Sequence, residues 1–154
     1  MRLALPLTVL VSTLSTALSK PQQIRGVTDP VYHFYLQAYP KDKTIAVLGP
    51  ESGSEYFDVA ATIQSANTTR FLNVGGDSTS YKALTFNSTA TTKAWGLEGD
   101  TIITTQGSSW GRQLNYLVCK LDDKYWQLYL QTGSAAPSGR TCSNYKTIHL
   151  PCLC

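Results

Sequence analysis

The chain has 154 residues with 13 basic and 10 acidic side chains, a formal net charge of +3. The charges are scattered singly, so there is no basic stripe of the kind that nucleic-acid binding needs. Only 15% of the residues are charged, and Ser, Thr, Gly, Asn and Gln are plentiful; such a surface stays in solution through hydroxyls and amides.

The first element is an export signal over 1–19. Arg2 supplies a short basic start, Leu3 to Leu18 carries no charge, and Ala17-Leu18-Ser19 puts small residues before Lys20. This is the pattern of a cleavable secretory signal peptide, with cleavage after Ala17 as the alternative position. The stretch is shorter than a membrane span, which takes about 20 strongly apolar residues, and it holds Pro6 and several hydroxyls. Removing it leaves about 135 residues, a length that suits one domain. No second apolar run spans a bilayer, so no membrane contact is expected after cleavage.

Residues 20–30 read as a flexible lead-in, polar and bounded by prolines. A single β domain is then expected over 31–154. Val31 to Tyr39 alternates, with Tyr32, Phe34, Leu36 and Ala38 on one side, the period of a half-buried strand. Pro40 ends it, Lys41-Asp42-Lys43 turns, and Thr44 to Leu48 is the next strand, stopped by Gly49-Pro50. Glu55 to Ala66 is ambiguous, since Phe57, Ala60, Ala61 and Ile63 fit one side of a short helix.

Further β-prone runs lie at Arg70 to Val74, Tyr81 to Phe86, Lys93 to Leu97, Thr101 to Gln106, Leu114 to Leu121, Tyr125 to Leu130 and Thr147 to Leu150. Gly75-Gly76-Asp77, Glu98-Gly99-Asp100, Asp122-Asp123-Lys124 and Thr132-Gly133-Ser134 supply turn chemistry between them. Two hairpins are expected, about Glu98-Gly99-Asp100 and about Asp122-Asp123-Lys124. In the second, Tyr116, Val118, Trp126, Leu128 and Leu130 are candidate core. Short strands closely spaced by turns predict an all-β fold, an antiparallel sandwich or distorted barrel, stapled by disulfide near its C-terminus.

Four cysteines occur, Cys119, Cys142, Cys152 and Cys154. An even count in an exported chain argues for disulfides. Pairing of Cys119 with Cys142 is preferred; Cys152 and Cys154 then pair through a small strained ring or stay free, and the alternative joins both to Cys119 and Cys142. A metal site has only His33 and His149 to add to these thiols, so no metal and no cofactor are expected. Asn67-Thr68-Thr69 and Asn87-Ser88-Thr89 are acceptors for N-glycosylation, both in Ser/Thr-rich connecting segments.

No nucleophile elbow, zincin motif or phosphate-binding loop is present. His33 and His149 with scattered acids are the raw material of a small secreted ribonuclease, but no acid stands beside His33 in Tyr32-His33-Phe34-Tyr35, and no residue is assigned as catalytic. Asp122-Asp123 and the pair Glu98 and Asp100 bracket turns and read as turn formers. Aromatic rings stack on sugars, and Trp110, within Gly107-Ser108-Ser109-Trp110-Gly111, is the candidate exposed glycan contact; Trp95 and Trp126 lie in strand patterns and read as core.

The order Trp95-Gly96-Leu97-Glu98-Gly99-Asp100, Leu117-Val118-Cys119, Tyr125-Trp126-Gln127-Leu128-Tyr129, Gly139-Arg140-Thr141-Cys142 and Pro151-Cys152 resembles the PhiA-like small secreted cell-wall proteins of filamentous fungi. The likeness covers Trp95 to Cys152; the earlier cysteines of that family are missing and Cys154 is extra. The resemblance implies an extracellular or wall protein with no known catalytic site, in which Cys119, Cys142 and Cys152 are structural. The expected function is therefore a non-enzymatic secreted fungal protein at the cell wall or in its surroundings, with wall polysaccharide as partner. The alternatives are an effector acting on a host protein and a small secreted hydrolase or ribonuclease.

Overall fold

The structure is a computed structural model that describes residues 20–151. The expected signal peptide and the cysteines at 152 and 154 lie outside the described residues. Within them, thirteen strands form one antiparallel, nearly closed, barrel-like sheet: β1 (Arg25–Gly26), β2 (Tyr35–Tyr39), β3 (Asp42–Gly49), β4 (Phe57–Val59), β5 (Ile63–Ser65), β6 (Phe71–Val74), β7 (Tyr81–Asn87), β8 (Trp95–Glu98), β9 (Thr101–Thr104), β10 (Tyr116–Lys120), β11 (Trp126–Gln131), β12 (Cys142–Lys146) and β13 (Ile148–His149). The order is β4-β5-β6-β7-β11-β3-β2-β1-β13-β9-β8, with β10 and β12 carried on the free edge of β11.

Closure comes from strands that change partner along their length. β3 meets β7 at Ile45↔Thr85 and β11 at Val47↔Gln127, while β7 meets β11 at Ala83↔Tyr129. Each of the three strands therefore pairs with both others, which bends the sheet around its core. The outer edge of β4 is not left open, because Gln22 and Phe57 exchange backbone hydrogen bonds at 2.9 and 2.7 Å. At the other end of the order, the Trp95 amide donates to the Ala61 carbonyl at 3.0 Å.

Both expected hairpins form. In β8–β9, Glu98 opposes Thr101 across Gly99-Asp100, and Gly99 sits at φ +60°, where glycine carries no side-chain penalty. In β10–β11, Asp122 stabilises the connection by accepting the amides of Lys124 at 2.9 Å and Tyr125 at 3.1 Å. The two faces of this hairpin serve different cores. Tyr116, Val118, Leu128 and Leu130 enter the main core with Leu36, Leu48, Phe86 and Trp95. On the opposite face, Leu117, Cys119 and Tyr129 form a second, smaller cluster with Tyr81, Ala83 and Cys142. Cys119 and Cys142 are direct cross-strand partners and are joined by a disulfide, with Cα atoms 4.1 Å apart.

Three expectations are corrected. The segment 20–30 is part of the barrel: Ile24 is fully buried and β1 pairs with both β2 and β13. Its one buried aliphatic side chain fills the core, and its backbone satisfies strands on either side. The first long strand begins at Tyr35 rather than Val31, because 31–34 turn, with His33 at φ +56° and Tyr32 exposed. Glu55 to Ala66 contains the hairpin β4–β5 and no helix. Phe57 and Ile63 point inward with a two-residue period, while Ala60 and Ala61 are exposed at the turn.

Candidate functional site

The two histidines have different surroundings. His149 lies in β13 with Asp100 Oδ1 3.0 Å from Nδ1 and Thr147 Oγ1 2.7 Å from Nε2. A carboxylate only accepts, so Nδ1 carries a proton; Thr101 Oγ1 also lies 3.3 Å from Nδ1. Both ring nitrogens are thus used inside the fold, and the same hydrogen bond holds the Asp100 carboxyl below its ordinary range. His33 is exposed in its turn, its ring stacked on Tyr32 with centroids 3.9 Å apart.

The acidic pairs also diverge. Glu98 forms a bidentate ion pair with Arg112, and Asp100 turns to His149. Asp122 takes the Tyr39 hydroxyl at 2.9 Å in addition to its two turn amides, whereas Asp123 stands 3.9 Å from Lys120. Among the described residues, no group of three or more His, Cys, Asp or Glu gathers for a metal ion.

Trp110 is not the open ring its glycine- and serine-rich neighbours suggested. It is half-buried and packs against the main core, while its carbonyl accepts Gln113 Nε2 at 2.9 Å. The turn around it is tight, with Gly111 at φ +68° and its amide donating to the Ser108 carbonyl at 3.2 Å. Trp126 is likewise half-buried against the core rather than within it. Trp95 is 2% exposed and its indole N–H donates to the Leu72 carbonyl at 3.1 Å.

Tyr32, Tyr56 and Tyr145 are exposed, and Tyr145, 60% accessible, is the most exposed aromatic ring among the described residues; nothing in its sequence neighbourhood marks it. It sits on a β-bulge: Tyr116 pairs with Lys146 but Val118 with Ser143, so β12 holds one residue more than β10 between those pairs. Bulges re-aim side chains, and here Tyr145 adopts φ +56°. A non-glycine residue in this region costs on the order of 1–3 kcal/mol. Two hydrogen bonds from one buried side chain hold the bulge: Gln131 Oε1 accepts the Tyr145 amide at 2.8 Å, and Gln131 Nε2 donates to Asn144 Oδ1 at 3.0 Å.

Beside the ring is a groove of about 190 Å³ lined by Gln113, Asn115, Gln131, Thr132 and Ser134 together with Tyr145. No lining side chain is charged. Amides both donate and accept, and the Asn115 amide makes no side-chain hydrogen bond among the described residues. Such a surface can hold a neutral polyhydroxylated ligand, with hydroxyls on the amides and a sugar face on the phenol ring.

The sequons stand elsewhere. Asn67 is exposed in the β5–β6 turn, its Oδ1 accepting the Tyr56 amide at 2.8 Å, and Asn87 is exposed at the end of β7, opposite Phe71. The start of β7, at Tyr81, pairs with Gln131 of the groove. The groove and Asn87 therefore lie at opposite ends of one strand, about 20 Å apart at the usual rise per residue.

No family model, curated protein or solved structure matches the chain.

Proposed function

We propose that the chain is an exported, non-enzymatic protein retained at a fungal cell wall through a neutral polysaccharide bound at the Tyr145 groove. The observation that carries this reading is Tyr145 itself, an aromatic ring 60% accessible on a left-handed bulge beside an uncharged, amide-lined groove. The Gln131 hydrogen bonds hold the bulge, and the ring that it turns outward is left free to meet a ligand. Rings of this kind present an apolar face with a polar tip, which suits the alternating C–H faces and hydroxyls of a sugar.

The lack of charge selects a neutral polymer over an acidic one. The export pattern over 1–19 and the resemblance to PhiA-like wall proteins supply the compartment. N-glycans at Asn67 and Asn87 leave the groove accessible, because Asn87 is at the far end of β7 and Asn67 is in the turn leading to its partner strand.

Fractionation of hyphae expressing a tagged chain tests the reading. The protein is expected in the washed wall fraction and to be released by wall-degrading enzymes. Recovery solely in the culture medium or in host tissue overturns it and favours the effector alternative.

A further inference from the structure

A second concavity opens at the other end of β7. It has a volume of about 440 Å³, and Phe86, the Tyr125 ring, Gln37 and Glu55 line it, with the exposed Lys43 and the half-buried Arg70. This volume is in the range of small-molecule sites. Its lining is mostly apolar, yet two buried polar side chains within it keep unused acceptors.

Gln37 is 2% exposed and donates its amide hydrogens to the carbonyls of Tyr35 at 3.0 Å and Pro50 at 2.9 Å. Its Oε1 lies over Gly53, another lining residue, and takes no donor among the described residues; a side chain at position 53 would collide with it. Glu55 is 8% exposed. Its Oε2 accepts the Ala38 amide at 2.6 Å and its Oε1 the Ser65 hydroxyl at 2.6 Å. A carboxylate has about four lone-pair sites, so half of its capacity is unspent. Among the described residues no Lys, Arg or His lies within ion-pair reach of Glu55.

We propose that this cleft binds a primary amine carried on a small apolar or aromatic body. An ammonium group has three donors and no acceptor. It would meet the spare lone pairs of the Glu55 carboxylate and Gln37 Oε1. The apolar body would lie against the half-buried Tyr125 ring, and an aromatic face also favours a nearby cation. Burying a carboxylate without a counter-ion is unfavourable, and an amine ligand removes that cost. Lys43 and Arg70 line the same cleft and oppose every added positive charge, so Glu55 has room for one ammonium and a monoamine is favoured over a diamine.

The site is independent of the Tyr145 groove, and either can fail alone. Calorimetric titration of the full secreted chain with an isostere series decides the matter. Phenethylamine is expected to bind at least about tenfold more tightly than 2-phenylethanol or 3-phenylpropanoate, and more tightly than 1,4-diaminobutane. Glu55→Gln keeps an oxygen for the Ala38 amide and a donor for Ser65, and is expected to weaken the amine by about tenfold or more. Should that variant fail to fold, the isosteres on the unaltered chain suffice. Equal binding of amine and alcohol, or no amine binding at about 10 mM, overturns the proposal.

Discussion

The side chain of Gln131 holds the backbone of Tyr145: Oε1 accepts the Tyr145 amide at 2.8 Å while the residue itself is 2% exposed. The bulge is thereby fixed from inside the sheet. Gln131→Leu, which fills similar space and cannot bond, leaves the Tyr145 amide and the Asn144 side chain without their partner. The expected loss is about 1–3 kcal/mol in urea denaturation. An unchanged midpoint would mean that the bulge does not depend on this contact.

The disulfide closes a separation of 23 residues between β10 and β12. In the chain-entropy account this is worth about 3 kcal/mol. Cys119→Ala with Cys142→Ala is expected to lower Tm by several degrees and to loosen β12, because the Arg140 bonds to Tyr129 Oη at 2.8 Å and Gln127 Oε1 at 2.9 Å lie on the same face. Non-reducing peptide mapping should recover the linked Cys119 and Cys142 peptides, and differential scanning calorimetry should show the shift. Recovery of Cys119 and Cys142 as alkylated thiols from the native protein contradicts the pairing.

Four carboxyls are held below their ordinary range in the folded chain. Asp42 is lowered by hydrogen bonds from Thr44, Glu98 by Arg112, Asp100 by His149, and Asp122 by the Lys124 amide. A lowered folded value means that the unfolded chain binds protons first as the pH drops. The stabilisation is therefore complete above the unfolded value, about 4, and is lost as the pH falls through the folded values. Asp42, Glu98 and Asp100 are exposed and Asp122 is half-buried, so each contributes little by itself. Tm is expected to be flat from neutral pH to about 5 and to fall below about 4, with a shallower fall in Asp100→Asn. A protein that gains stability on acidification contradicts this assignment.

The alternation in Leu114 to Leu121 and Tyr125 to Leu130, and the glycine and aspartates between the paired runs, made the barrel's hairpins readable, because those signals are local. β1 is two residues long and includes Gly26, and β12 reads Cys-Ser-Asn-Tyr-Lys, so neither has an apolar period to detect. Their pairing depends on partners far along the chain, as with Arg25 opposite both Tyr35 and His149. The glycines and serines around Trp110 point to an open loop, but a tight turn at Gly111 accompanies a ring packed on the core. The groove escaped for a related reason: Asn115, Gln131 and Tyr145 come from three segments that only the β10–β11–β12 register brings together.

The most direct test of the account is retention of Tyr145→Gly on washed, insoluble fungal wall polysaccharide, measured beside the unaltered chain. Glycine relieves the left-handed backbone at this position, so stability is expected to hold or to rise by about 1 kcal/mol while retention falls by about tenfold or more. Full retention by a folded Tyr145→Gly protein contradicts the claim that this ring is the glycan contact.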